Sequence, residues 1–203
     1  CYNCRFTGWQ DTIFNGDPMT CNMKKLMLPD FFQASEVPIV HKFYRNYFKD
    51  CYVCGDVDYI FGPNTAFFDH CEIHSIARVS EGKAYITAAS TPAGQEFGLV
   101  FSHCRITGEE PDSVYLGRPW RDCAKTAFIC CELGDHICPE GWQNWGKVRA
   151  EVLSDYIEYG NFGPGADCSG RSPLSRCLVN PEVETYFSKE NVLVGEDGWI
   201  PAE

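Results

Sequence analysis

The 203-residue sequence predicts an all-β fold, a solenoid of stacked parallel strands, on three observations. A four-residue pattern recurs along the chain, the runs that carry it alternate in polarity as half-buried strands do, and Gly and Pro separate those runs. Length favours one domain over residues 1–203, since ordinary domains hold roughly 100 to 200 residues.

The pattern is a polar residue or Cys, then Cys, then a polar or aromatic residue, then an aliphatic or aromatic one. It reads NCRF at Asn3 to Phe6, DCYV at Asp50 to Val53, HCEI at His70 to Ile73, HCRI at His103 to Ile106 and CCEL at Cys130 to Leu133. The repeat cysteines Cys4, Cys51, Cys71, Cys104 and Cys131 are spaced by 47, 20, 33 and 27 residues, and 47 reads as two of the shorter intervals. Intervals of this size suit coils that each bury an apolar face against the next. In the run AFFDHCEIHS, Phe68, His70, Glu72 and His74 share one parity, while Phe67, Asp69, Cys71 and Ile73 share the other. Cys71 and Ile73 are therefore expected to point inward, with Cys104 and Ile106, and Cys131 and Leu133, repeating them in a column. Gly16, Pro18, Gly62, Pro63, Pro92, Gly94, Gly108 and Pro111 supply the turns.

Composition excludes several classes. A net charge of −11 with scattered Arg and Lys is wrong for a nucleic-acid backbone. No run of about 18 apolar residues is present, so no membrane partner is expected. At 44% hydrophobic residues the chain can bury a sizeable core, which rules out wholesale disorder. Thirteen cysteines in a chain this long suggest mostly reduced thiols rather than a disulfide framework, and their odd number leaves at least one free. Cys1 with Cys4, and Cys51 with Cys54, form CxxC pairs, but positions i and i+3 of a strand face opposite ways about 10 Å apart, so no metal site is expected there. His70 and His74 share a face yet stand about 13 Å apart, too far to grip one ion, and His70 and His103, which recur at one repeat position, are read as packing or surface residues.

Three segments concentrate polar and aromatic residues beside turn signals: GWQDTIF (Gly8 to Phe14), GDVDYIFG (Gly55 to Gly62) and YLGRPW (Tyr115 to Trp120). Asp11 and Asp58 each lie seven residues after a repeat cysteine, so both occupy one position of the coil. With 47 residues read as two coils, bringing the two acids together requires a bend, a bulge or a loop.

These segments resemble the pectin methylesterase (pectinesterase) family of carbohydrate esterases. GWQDT matches the family's QDT signature, GDVDYIFG matches VDFIFG with Tyr59 for Phe, and YLGRPW contains LGRPW unchanged. The likeness continues through AYITAAS (Ala84 to Ser90), GWQNW (Gly141 to Trp145), EYGNFGPGA (Glu158 to Ala166) and GEDGW (Gly195 to Trp199). The resemblance implies a right-handed parallel β-helix and hydrolysis of galacturonate methyl esters in pectin, releasing methanol. It implies Asp58 as nucleophile, Asp11 as general acid and then base, Gln10 as an oxyanion donor and Arg118 as the residue that holds the nucleophile. Trp120 would be the aromatic platform for the sugar, with Phe61 a second apolar contact. It implies no cofactor and no metal, pectin as the partner, and a monomer at full length. It also implies that the family's first coils, its N-terminal cap and a further glutamine of the oxyanion hole are missing, so that a piece of this length alone is expected to be poorly soluble or inactive.

The chemistry stands without the family. Ester cleavage needs an ionised attacking group and a proton donor for the methoxide, so two carboxyls in one cleft must titrate apart. An arginine beside one of them keeps it charged, and that charge favours the proton on the other. An amide donates to the oxyanion without titrating, an effect worth roughly 2.7 to 4 kcal/mol elsewhere. Asp56, Asp69, Glu72, Arg121 and Asp122 are read as solvent-facing, Trp142 as a possible extension of the groove, and Trp145 as core or edge packing. Two other readings are a pectate lyase, which would need a carboxylate cluster for calcium, and a polysaccharide-binding fragment without turnover. The compartment stays open: pectin lies outside cells, whereas free thiols suit a reducing interior.

Overall fold

The computed structural model describes residues 1–16, 44–199 and 201. Short runs with one or two inward side chains cannot bury a face alone, and here they stack into three parallel sheets. Numbered in chain order, the first sheet holds β1 (Arg5–Thr7), β4 (Tyr52–Gly55), β7 (Glu72–Ser75), β10 (Arg105–Gly108) and β13 (Glu132–Leu133). The second holds β2 (Ile13–Phe14), β5 (Val57–Gly62), β8 (Ala84–Ala89) and β11 (Val114–Gly117). The third holds β3 (Arg45–Lys49), β6 (Thr65–Asp69), β9 (Leu99–Ser102), β12 (Lys125–Ile129), β14 (Asp155–Tyr159) and β15 (Ser175–Leu178). Through β13, each paired strand meets the strand three places further on, so three strands make one coil of a parallel β-helix. The predicted fold class holds.

In-register stacking puts like side chains above one another. Val53, Ile73, Ile106 and Leu133 pair in sequence across the first sheet, and all four are buried. Phe48, Phe68, Phe101 and Phe128 form a second column, their rings 4.6, 4.7 and 4.5 Å apart and nearly parallel. Those distances match the inter-strand spacing of about 4.8 Å, which is why flat rings stack here rather than meeting edge-on. Cys51, Cys71, Cys104 and Cys131 form a third buried column, with Cys4 half-buried at its end. The thiols of Cys51, Cys71, Cys104 and Cys131 donate to the carbonyls of Lys49, Asp69, Ser102 and Ile129, and the backbone N–H of Cys51 donates to Cys71 Sγ at 3.4 Å, so the thiols help satisfy the inner backbone at these corners.

The residue ahead of each repeat cysteine makes that corner. Asn3, Asp50, His70, His103 and Cys130 have φ between 51° and 53°, the left-handed region that Asn, Asp and His enter more readily than most side chains. This explains the first place of the motif, which had been read at His70 and His103 as packing or surface. It also corrects the parity: the corner at His70 separates β6 from β7, so alternation does not carry across it. Phe68 faces the inner core, whereas Phe67 faces outward. The column continues into a sixth coil, where Gly160 (φ 64°) takes the corner and Asn161 Oδ1 accepts from the Cys131 N–H at 2.9 Å.

Direct pairing of β1 with β4 shows that Cys4 to Cys51 spans one coil, not two. The extra residues fall between β2 and β3. Three short helices follow β13: α1 (Ala150–Leu153), α2 (Glu182–Tyr186) and α3 (Lys189–Val192). Val192 and Leu193 cover the outward side of the third sheet, where Tyr47, Phe67, Val100, Ala127 and Ile157 form a second apolar cluster. Cys168 and Cys177 form a disulfide, which the cysteine spacing had not revealed; ten other described cysteines are free. Trp142 stacks on Tyr156 at 4.2 Å, and its Nε1 donates to Glu158 Oε1 at 2.9 Å. Arg171 reaches the same carboxylate through Nε at 2.9 Å and Nη2 at 3.1 Å, an ion pair whose side chains are 4% and 2% exposed. Trp142 is thus a buried residue of the core. None of the described helices is long and apolar enough to cross a membrane.

Candidate active site

Asp11 and Asp58 come to neighbouring coils at the same position, because β2 and β5 pair Ile13 with Ile60 and Phe14 with Phe61. No bend is needed, since the 47-residue interval is a single coil. Adjacent strands lie about 4.8 Å apart, which sets the separation of the two backbones. Each acid has a left-handed backbone, φ 59° at Asp11 and 50° at Asp58. At Asp58 the cause is visible: β5 pairs Val57 with Tyr85 but Ile60 with Thr87, a bulge of one residue within the strand. A bulge turns a side chain away from the regular pleat, and Asp tolerates the conformation better than a bulky residue would. Tyr59, which follows it, is fully buried, and its hydroxyl lies 2.9 Å from Ser75 Oγ, so the hydroxyl that Tyr adds relative to Phe is hydrogen-bonded.

Arg118 holds Asp58. Its Nε donates to Oδ1 at 2.9 Å and its Nη2 to Oδ2 at 2.8 Å, a two-pronged, charge-assisted grip on a carboxylate that is 5% exposed. The guanidinium is itself held flat between two aromatic rings, 3.8 Å from the centre of Tyr85 and 3.7 Å from that of Trp145. Arg118 follows directly on β11, and its N–H donates to the Thr87 carbonyl at 3.0 Å. Gly117 permits that approach, since a Cβ there would sit inside contact distance of Thr87 Oγ1.

Asp11 is exposed, and its carboxyl is raised above the usual range, first by desolvation, then by the charge of Asp58, with Arg118 pulling the other way. Gln10 is exposed on the turn just ahead of Asp11. The half-buried Trp120 meets Phe61 edge-on at 5.7 Å, and Phe61 contacts Phe14 at 5.0 Å, so an aromatic line runs beside the acids. The structure thus joins Asp58 to Arg118, sets Asp11 on the adjacent coil beside them and pairs Phe61 with Trp120, while Gln10 immediately precedes Asp11 in sequence.

Sequence reasoning missed Tyr85, which lies in the AYITAAS segment, while Trp145, read as core or edge packing, is half-buried with its ring against Arg118. Lys147 was also missed: its Nζ lies 4.1 Å from the Trp145 ring centre and donates to the Pro119 carbonyl at 2.7 Å, tying the loop that carries Trp145 to the one that carries Trp120. A repeated aromatic offset by one coil, Tyr85 beside Tyr115, was the available signal.

Chemically, the arrangement offers a buried carboxylate gripped by an arginine, a second carboxyl on the neighbouring coil raised above its usual range, and an aromatic pair, Phe61 with Trp120. A family model described as Pectinesterase matches residues 33–196. Pectinesterase 31 of Arabidopsis thaliana is 37% identical over 183 residues, covering 89% of this chain and 48% of that protein. The solved pectin methylesterase from carrot shares the fold with a TM-score of 0.77 at 24% identity, over 98% of this chain and 59% of that one. A pectin methylesterase solved in complex with hexasaccharide VII superposes with a TM-score of 0.68 at 25% identity, over 100% of this chain and 58% of that one. The chain spans about half the length of the curated relative it matches. By the extent of the family match, this chain belongs to the pectinesterase family.

Proposed function

We propose that the protein hydrolyses the methyl esters of galacturonate units in pectin. The observation that carries this reading is the unequal pair: Asp58 buried and gripped by Arg118 through two hydrogen bonds, and Asp11 on the adjacent coil, its carboxyl raised by burial and by Asp58. Asp58 attacks the ester carbonyl carbon, and the oxygen that gains charge accepts a hydrogen bond from the Gln10 amide. Asp11 gives its proton to the departing methoxide, so methanol leaves and an anhydride joins the sugar acid to Asp58. Asp11, now charged, takes a proton from water, and the hydroxide opens the anhydride, freeing the galacturonate carboxylate and Asp58. Trp120 and Phe61 supply the flat apolar surface on which a pyranose ring lies. Binding of a hexasaccharide by a related pectin methylesterase supports a polymeric sugar as substrate.

The test is methanol release from highly methylated pectin, with Asp58→Asn and Asp11→Asn measured beside the parent. Loss of methanol in both, with folded variants, is expected; an active Asp58→Asn overturns the assignment. Methanol formed without an unsaturated sugar product, and unaffected by a chelator, separates the esterase from a calcium-dependent lyase.

A further inference from the structure

The corner column that turns the chain also gathers metal-binding side chains on the outer surface, away from both CxxC pairs. His103 and Cys130 hold the same corner position on consecutive coils, since Ser102 pairs with Ile129 just ahead of them. Glu184 of α2 reaches over this corner, and one ligand atom from each of the three residues lies within 4.8 Å of the others. His103 Nε2 and Glu184 Oε1 are 3.8 Å apart, too far for a hydrogen bond. His103 Nδ1 lies 2.9 Å from Ser102 Oγ, a hydroxyl able to accept the Nδ1 proton and so free Nε2 to bind an ion beside the cysteine and glutamate. The ring is also kept in plane by stacking on His70, 5.2 Å away and tilted by 8°.

We infer that His103, Cys130 and Glu184 form a zinc-class metal site that fastens α2 to the β-helix. One imidazole, one thiolate and one carboxylate with an open position for water is a donor set that suits Zn²⁺. Tetrahedral zinc with bonds of about 2.0 to 2.3 Å needs donors roughly 3.5 Å apart, a small closure for side chains that are partly exposed. Binding exchanges the Cys130 thiol proton for the ion and releases that proton to water. Among the described residues, the other cluster of this type, Glu158 with Cys168 and Cys177, lacks free thiols because its cysteines form the disulfide.

The experiment titrates Zn²⁺ alone into the reduced protein against a chromogenic chelator, and Co²⁺ as a spectroscopic substitute. One equivalent is expected to bind. Cys130→Ser, His103→Asn and Glu184→Gln should each weaken binding by about tenfold or more, and Cys130→Ser should abolish the thiolate-to-cobalt absorption band. Cys123→Ser, which changes a half-buried free cysteine outside this cluster, should leave both unchanged. Zinc should raise the unfolding temperature of the parent and of Cys123→Ser but not of Cys130→Ser. Parental affinity in Cys130→Ser, or loss of binding in Cys123→Ser, overturns the site.

Discussion

Replacing Arg118 by Lys keeps a positive charge beside Asp58 and removes the geometry. The guanidinium makes two hydrogen bonds to the carboxylate, at 2.9 and 2.8 Å, and a lysine ammonium cannot span both oxygens. One charge-assisted bond is lost, worth about 1.5 to 3 kcal/mol. The flat stack between Tyr85 and Trp145 goes with it, at about 0.5 to 1 kcal/mol for each partly exposed face. A part of this total, roughly 1.4 to 3 kcal/mol, is expected to act on the attack step, because it fixes the angle at which Asp58 meets the carbonyl. That converts to a fall in kcat of about 10- to 150-fold. KM should change little, since the arginine is engaged with Asp58 rather than with the aromatic sugar surface. The assay is initial-rate methanol release across pectin concentrations, paired with thermal unfolding to show that the variant is folded. A folded Arg118→Lys with parental kcat, or with its entire loss in KM, would refute the claim that this residue acts by aligning Asp58.

Asp11→Asn tests the raised carboxyl by stability. A carboxyl whose folded pKa lies above its unfolded value contributes stability that is complete below the unfolded pKa and is lost as pH rises through the folded one. At pH 7 the variant should therefore unfold at the same or a higher temperature than the parent, with the difference vanishing in acid; a variant less stable only at neutral pH would contradict the assignment. Arg171→Met strands the buried Glu158 carboxylate, which should cost about 3 to 5 kcal/mol and lower Tm by roughly 6 to 20 °C for a chain of this size; an unchanged melting curve would show that the pair is dispensable. Phe101→Ala empties the middle of the ring column between Phe68 and Phe128 and should cost about 3 to 5 kcal/mol in chemical denaturation, well above the loss from an exposed aromatic such as Trp9.

Much of the frame was legible because a β-helix writes its period into the chain: the repeat cysteine marks where one strand ends and the next begins, and the seven-residue offset to Asp11 and Asp58 survives as register. The same pattern misled where it met irregular backbone. A 47-residue interval looks like two coils because length alone does not separate a second coil from added chain within one. Alternation at Phe67 and Phe68 broke at the His70 corner, where a left-handed residue resets which face is inward. The bulge at Asp58 had no signal of its own, since a single extra residue leaves composition unchanged. Trp142 and Trp145 differ by three positions in a glycine-rich loop, and only folding assigns one to the core beside Glu158 and the other to the arginine. The Cys168–Cys177 bond was hidden among thiols that play a different part.

The long first described coil has a consequence for how such a molecule can change. Strand pairing is intact on both sides of the added stretch, at Ile13 against Ile60 and again at Arg45 against Thr65. The scaffold therefore admits new chain between two of its walls without altering pitch, because each wall is gripped by the neighbouring coil rather than by what precedes it in sequence. Lengthening or trimming that segment is a change of trim rather than of frame, and the two acids, two residues ahead of the Ile13–Ile60 pairing, keep their alignment through it.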